Sequence, residues 1–259
     1  MVAMMMAVVA VAIVMIVMRI HAGAMSHAAL RPATRSALPR RGVWATAFAD
    51  APGRTMESSF DPAARDRAIT GQPQRIAVPE GAALDPRALA AIETLRLMHR
   101  HPPQEQVHPF YATMALSPQA FASFLQLGSD LSGETALPPD LRELAVLRTG
   151  WRCGAPYQWG EHVRVARRIG LDDAAVARVR EGPDAPGWSA IEAAVLRAAD
   201  ELHDGAMISD STWAVLAAHL DARQLAELPL LIGHYHMTAY VQNALRIALN
   251  PGNPGLSGP

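Results

Sequence analysis

Apolar residues recur every three or four positions from about residue 85 to about residue 250, the period of helices with one buried face. The first such stretch follows Asp85-Pro86 and sets Leu89, Ile92, Leu95 and Leu97 toward a core, running to about residue 99. Ser117-Pro118 predicts an N-cap with proline in the first turn, ahead of a stripe of Phe121, Phe124, Leu125 and Leu127 that Gly128 and the SGET segment close. A third helix capped by Asp140 carries Leu141, Leu144, Leu147 and Trp151 and ends in the turn Cys153-Gly154-Ala155-Pro156. Pro156 opens a fourth, through Trp159, Val163, Ala166 and Ile169, which Gly170 stops. Asp172 or Asp173 starts a short helix, and the GPDAPGW segment is a loop. Ser189 and Glu192 form a capping box before IEAAVLRAADELH, and Ser209 caps a helix containing Trp213, Val215 and Leu216. From Asp221 the pattern stays helical to about Leu249, with Pro229 as a kink or first-turn residue.

No stretch alternates with period two between hairpin turns. The expected fold class is all-α, with one domain over residues 77–250 and a flexible tail at 251–259.

The amino-terminal part is a different kind of polymer. Residues 1–18 are apolar throughout and, as a helix, nearly long enough to cross a hydrocarbon core of roughly 30 Å. A membrane anchor, a signal peptide and a later start at Met25 or Met56 are all open; the first charge, Arg19, follows the apolar run rather than preceding it. Residues 19–56 carry six arginines against one acid, Asp50, a weakly ordering composition. Residues 1–76 are therefore set apart as an extension. The folded domain is expected in the cytoplasm, with anchoring or export through residues 1–18 as the alternative.

Composition narrows the chemistry. All 23 basic residues are arginine, which excludes Schiff-base chemistry, a pyridoxal phosphate anchor and a P-loop lysine. A net charge of −1 gives no field for nucleic acid, so a small-molecule substrate is the expected partner. The one cysteine, Cys153, excludes an intramolecular disulfide and a cysteine cluster. The 10 histidines show no HExxH, and His234 and His236, two apart on a helix, point to different faces. Neither a metal site nor a cofactor is expected.

The informative segment is LRELAVLRTGWRCGAPYQWGEHVRVARRIG, residues 141–170, which puts Glu143 and His162 on consecutive helices. Joined by a short turn, the two helices can bring carboxylate and imidazole to one wall, where proton transfer near neutral pH is possible. A plainer reading stands beside this one. Asp140-x-x-Glu143 is also a capping-box spacing, which periodicity alone favours, and a lone histidine is more often a satisfied half-buried residue.

REL, then WR, GA, Y-x-W-x-x-HV and ARR-x-GL, followed by GPDAPGWSAIEAAVLRAADELH and ISDSTWAVLAAHLDARQLAELPLLIGHYHM, resemble the carboxymuconolactone decarboxylase and alkylhydroperoxidase D superfamily over most of residues 85–250. The resemblance implies a helical bundle built around a helical hairpin and a homo-oligomer, trimer or hexamer. The family's peroxidase branch uses a glutamate, a Cys-x-x-Cys pair and a histidine. Glutamate and histidine correspond to Glu143 and His162, whereas the two cysteine positions hold Ala155 and Gln158. Cys153 lies two residues before the first of them.

Without thiols at those positions the resemblance implies the decarboxylase branch's acid–base chemistry on a small lactone or unsaturated carboxylic acid. His162 is then the expected proton carrier and Glu143 its orienting partner. Tyr157 and Trp159 are expected to shape an apolar pocket, and Gln158 to offer an amide. Arg148 or Arg152 would meet a substrate carboxylate. His234, His236 and Tyr240 are second-rank candidates; His236, Tyr240 and Asn243 share one stripe, which a polar surface equally explains. A peroxidase working through Cys153 and a non-catalytic oligomeric binding protein are the other two classes.

Overall fold

The computed structural model describes residues 60–77, 84–98, 107–133 and 135–258. Residues 1–18 and the arginine-rich stretch lie outside these. No helix among the described residues is long and apolar enough to cross a membrane.

The architecture is all-α, with no strand among the described residues. The helices run α1 Pro62–Ile69, α2 Pro86–Met98, α3 Pro109–Met114, α4 Pro118–Ser132, α5 Pro139–Arg152, α6 Pro156–Arg168, α7 Asp173–Glu181, α8 Ala190–Gly205, α9 Asp210–His219 and α10 Ala222–Leu245, followed by a 3₁₀ turn at Gly255–Ser257. Helix α5 is the central element, packed against α6, α8 and α10. Its Leu144 and Leu147 interlock with Trp159 and Val163 of α6 and with Val195, Leu196 and Ala199 of α8, all buried in one cluster with Leu228 and Ile232 of α10. A second cluster joins Ala88 of α2, Phe110 of α3, Phe121 and Phe124 of α4 and Tyr157 of α6.

The caps explain why the helices begin where they do. Ser189 accepts from the Glu192 amide while the Glu192 carboxylate accepts from Ser189, a complete capping box. Asp172, Ser209 and Asp221 cap α7, α9 and α10 in the same side-chain-to-backbone manner, and Asp221 is answered by Gln224. Pro229 sits inside α10 without interrupting it.

Several expectations need correction. Helix α2 does not bury its leucines: Leu89 and Leu97 are exposed, because Ala88, small enough for close approach, is the buried residue where α2 meets α4. The side chain of Leu95 is outside the described residues. Helix α4 continues through Gly128 to Ser132, and the six-residue α3 has too few residues to show a period. Ile169, at the C-cap of α6, is exposed. Helix α10 stops at Leu245, where Arg246 turns into the left-handed region.

The expected boundaries at 76/77 and 250/251 fall within packed structure. Helix α1, capped by Asp61, lies in the supposed extension, and the tail is not free. Leu256 is 0% exposed, and the Asp66 carboxylate of α1 accepts from the Leu256 and Ser257 amides at 3.0 Å. Asn253 of the tail donates to the Tyr157 carbonyl and to Glu161 of α6. These are long-range polar contacts, which hydrophobic periodicity does not register.

Candidate active site

Helix α5 starts from Pro139 with Pro138 as its cap residue and no side-chain capping bond. Asp140 is thus inside the first turn, and the capping box expected with Glu143 does not form. Glu143 faces inward instead, 2% exposed, and its Oε1 lies 2.6 Å from Nδ1 of His162. A buried carboxylate without a partner would cost several kcal/mol, so this contact accounts for its being there. An ionised carboxylate only accepts, which puts the proton on Nδ1 and leaves Nε2 on the other side of the ring.

The turn between α5 and α6 makes the pairing possible. Gly154 takes φ +51, and a Cβ there would come within 2.9 Å of Arg65 Nε, the group that donates to the Gly154 carbonyl. The Cys153, Gly154 and Ala155 amides close the turn onto the carbonyls of Thr149, Trp151 and Gly150. The Gln158 amide, 2% exposed, satisfies both its ends when its nitrogen donates to the Tyr235 carbonyl at 3.0 Å and its oxygen accepts from the Gly150 amide at 3.3 Å. It ties α6 to α5 and α10 together.

Glu143, Gln158 and His162 lie on the wall of a cavity of about 1050 Å³. Its apolar lining includes Phe110, Tyr111, Phe124, Leu125 and Tyr157, and its polar lining includes Arg142, Arg168, His234, Thr238 and Gln242. Tyr235 stands edge-on to the His162 ring, centroids 4.9 Å apart. Burial, followed by the nearby Glu143 carboxylate, pushes the Tyr235 phenol up, and burial pushes the Tyr111 phenol up to about 12. Both phenols stay protonated at neutral pH.

His234 is 6% exposed, stacked on Phe124 at 4.6 Å, and burial pulls it down to about 4. Its ring nestles against Gly128, where a Cβ would approach Nε2 to 2.9 Å. The Nδ1 of His234 and the Oε1 of Gln242 are buried with no hydrogen-bond partner among the described residues.

The remaining expected site residues lie elsewhere. Trp159 is fully buried in the core, its ring 5.1 Å from that of Trp151 and 5.0 Å from the Arg180 guanidinium. Arg148 is buried in a bidentate pair with Asp200, at 2.7 and 2.8 Å, and also donates to the Val179 and Arg180 carbonyls. Arg152 reaches Asp204 at 2.5 Å and Asp200 at 3.5 Å. Both arginines are used up against α8 carboxylates. His236 turns to His203, and Tyr240, 61% exposed, stands edge-on to His236. None of these five lines the cavity.

Tyr235, Thr238, Gln242, Arg142 and Arg168 line it and were not anticipated. One signal was present: His234, Thr238 and Gln242 recur at four-residue spacing, a polar stripe along an otherwise apolar helix.

Residues 118–201 match the sequence profile of the carboxymuconolactone decarboxylase family. This segment is similar to the carboxymuconolactone decarboxylase family. The matched segment contains Glu143, Ala155, Gln158 and His162, whereas α10, the other wall of the cavity, lies beyond it. Two solved structures share the fold. One is a protein of unknown function from Agrobacterium tumefaciens, provisionally named an antioxidant defence protein AhpD. It is 20% identical, with a TM-score of 0.50, over 53% of this chain and 95% of that one. The other is an uncharacterised peroxidase-related protein from Silicibacter sp. TM1040, 17% identical, with a TM-score of 0.58, over 70% of this chain and 94% of that one. No curated protein sequence matches the chain. That family includes decarboxylases and alkylhydroperoxidases.

The site departs from the thiol chemistry of the second group. Ala155 is buried at the helix start and Gln158 is committed to backbone groups. Cys153 is absent from the cavity lining, and burial pushes its thiol up to about 12.

Proposed function

We propose that the protein is an acid–base enzyme of the carboxy-lyase type, acting on a small lactone or unsaturated carboxylic acid. The observation that carries this reading is the Glu143–His162 pair, a buried carboxylate at 2.6 Å from an imidazole on the wall of a mostly apolar cavity. In the proposed reaction the substrate's bond to its carboxylate breaks and carbon dioxide leaves. The electron pair passes into the conjugated carbonyl as a dienolate, and Nε2 of imidazolium His162 delivers a proton to carbon. Glu143 holds Nδ1–H and balances the imidazolium charge.

The cavity's composition supports such a substrate. Arg142 and Arg168 are guanidinium groups lining this cavity, in the role that Arg148 and Arg152 cannot fill. Phe110, Tyr111 and Phe124 suit a flat unsaturated carbon skeleton. His234 Nδ1 and Gln242 Oε1, without partners among the described residues, offer a donor to a substrate oxygen and an acceptor to a substrate hydroxyl. Assembly as a homo-oligomer belongs to the same reading.

The test is a screen of carboxylated lactones and muconate-like acids by ultraviolet absorbance, with wild type beside His162→Gln. Turnover in wild type that falls at least a hundredfold in the folded variant is expected. Equal turnover in both would overturn the assignment of His162. A thiol-dependent peroxide activity that disappears in Cys153→Ser would instead place the protein with its peroxidase-related structural neighbours.

A further inference from the structure

Three side chains from three different helices converge away from the cavity. Cys153 follows α5, His203 lies in the last turn of α8, and His236 is midway along α10. Cys153 Sγ is 3.8 Å from His203 Nδ1, which is 3.0 Å from His236 Nε2, and all three ligand atoms lie within 4.8 Å of one another. None of the three residues lines the cavity.

We propose that Cys153, His203 and His236 form a binding site for a zinc-type divalent cation. Thiolate sulfur and neutral imidazole nitrogen are the donor set such an ion prefers, at about 2.3 Å and about 2.0–2.1 Å. A tetrahedral ion at those lengths separates sulfur from nitrogen by about 3.6 Å and nitrogen from nitrogen by about 3.3 Å. The distances of 3.8 and 3.0 Å differ from these by a few tenths of an ångström, and Cys153 Sγ and His236 Nε2, which lie within 4.8 Å of each other, draw together when the ion binds.

The surroundings fit a ligand set rather than a chance contact. His236 Nδ1 lies 2.9 Å from the Ile232 carbonyl, which only accepts; the proton is therefore on Nδ1 and the Nε2 lone pair faces the other two ligands. Asn243 holds the Cys153 carbonyl at 3.0 Å and fixes the turn that presents the sulfur. The nearby Arg152 guanidinium is balanced by Asp200 and Asp204.

Binding replaces the thiol S–H by an S–metal bond and releases that proton to water, while the proton that His203 Nδ1 donates to His236 Nε2 moves to His203 Nε2; no electron moves. The fourth position falls to water, since His203 is only half-buried. The site goes beyond the acid–base reading and does not depend on it.

Cobalt(II) is the probe that reads sulfur ligation directly, added to the full chain under reducing conditions, with zinc then titrated against it. A sulfur-to-cobalt charge-transfer band displaced by one equivalent of zinc is expected. Cys153→Ser should abolish the band, and Cys153→Ser and His203→Asn should each weaken zinc binding roughly a hundredfold. His203 is the more exposed histidine, so its variant guards against a loss caused by misfolding, which circular dichroism checks. The band should persist in His162→Gln. Absence of the band in wild type, its persistence in Cys153→Ser, or zinc affinity unchanged in folded His203→Asn would overturn the site. So would loss of binding in His162→Gln but not in Cys153→Ser.

Discussion

His162 and His236 are both held by a hydrogen bond at Nδ1, and they differ in what receives it. His162 meets the buried Glu143 carboxylate at 2.6 Å, and His236 meets the Ile232 carbonyl at 2.9 Å. A carboxylate fixes the ring and sets a negative charge beside it, the arrangement the proposed proton transfer at Nε2 uses. A carbonyl fixes the ring without offering a counter-charge, which leaves Nε2 as a lone-pair donor. The surroundings follow the same division. His162 lines a cavity large enough for a small substrate, whereas His236 points its Nε2 to His203 in a cluster with a thiol. His234 is a third case, with no hydrogen-bond partner at Nδ1 among the described residues and burial setting its state. What stands at Nδ1, a carboxylate, a carbonyl or neither, thus separates the three histidines.

The largest expected effect comes from removing the proposed proton carrier. His162→Gln should lower kcat by about 10²–10⁴ on a carboxylated lactone, measured by absorbance, with thermal unfolding little changed. Glu143→Gln sharpens the comparison, because the amide can still accept from Nδ1 but carries no charge. A fall in kcat of roughly 10–100-fold with little change in KM is expected; no fall would reduce Glu143 to a positional role.

His234 tests the case without a partner. The unfolded chain titrates this residue near 6.5, while in the folded protein it sits at about 4. Between those values the unfolded state binds more protons, so the stability from neutral His234 is present above about 6.5 and lost as pH falls toward 4. The loss is on the order of 3 kcal/mol at most. Denaturant unfolding from pH 7 to pH 4 should show a shallower acid decline in His234→Phe than in wild type; parallel curves would contradict the assignment.

Gly128→Ala gives the smallest effect. Its Cβ would press on His234 Nε2 at 2.9 Å, and the ring, stacked on Phe124, has little room to move. A destabilisation of about 1 kcal/mol is expected by denaturant titration, partly offset by alanine's better helix propensity.

Much of this was legible in the residue pattern, for physical reasons that also mark where it stops. Helices α5 and α6 have broad apolar stripes with proline starts, so Leu144, Leu147, Trp159 and Val163 could be placed in the core, and the turn between them brought Glu143 and His162 together. The spacing of His234 and His236 already put them on different faces. The arginines were misplaced because periodicity does not say which polar residue of a helix will find a partner fifty residues away. Arg148 and Arg152 share a face that meets Asp200 and Asp204, while Arg142 turns to the cavity. The Cys153–His203–His236 cluster was invisible for the same reason, since its ligands are scattered along the chain. Helix α1 and the tail escaped notice because polar contacts from Asp66 and Asn253 hold much of them.

The central claim is that His162 delivers a proton to carbon as carbon dioxide leaves. It is tested most directly by turning over a carboxyl-labelled substrate in deuterium oxide and analysing the product. The account predicts labelled carbon dioxide in equal amount to product, with one deuterium on the product carbon, and neither in His162→Gln. Product formed without carbon dioxide, or labelled product formed equally well by His162→Gln, would contradict it.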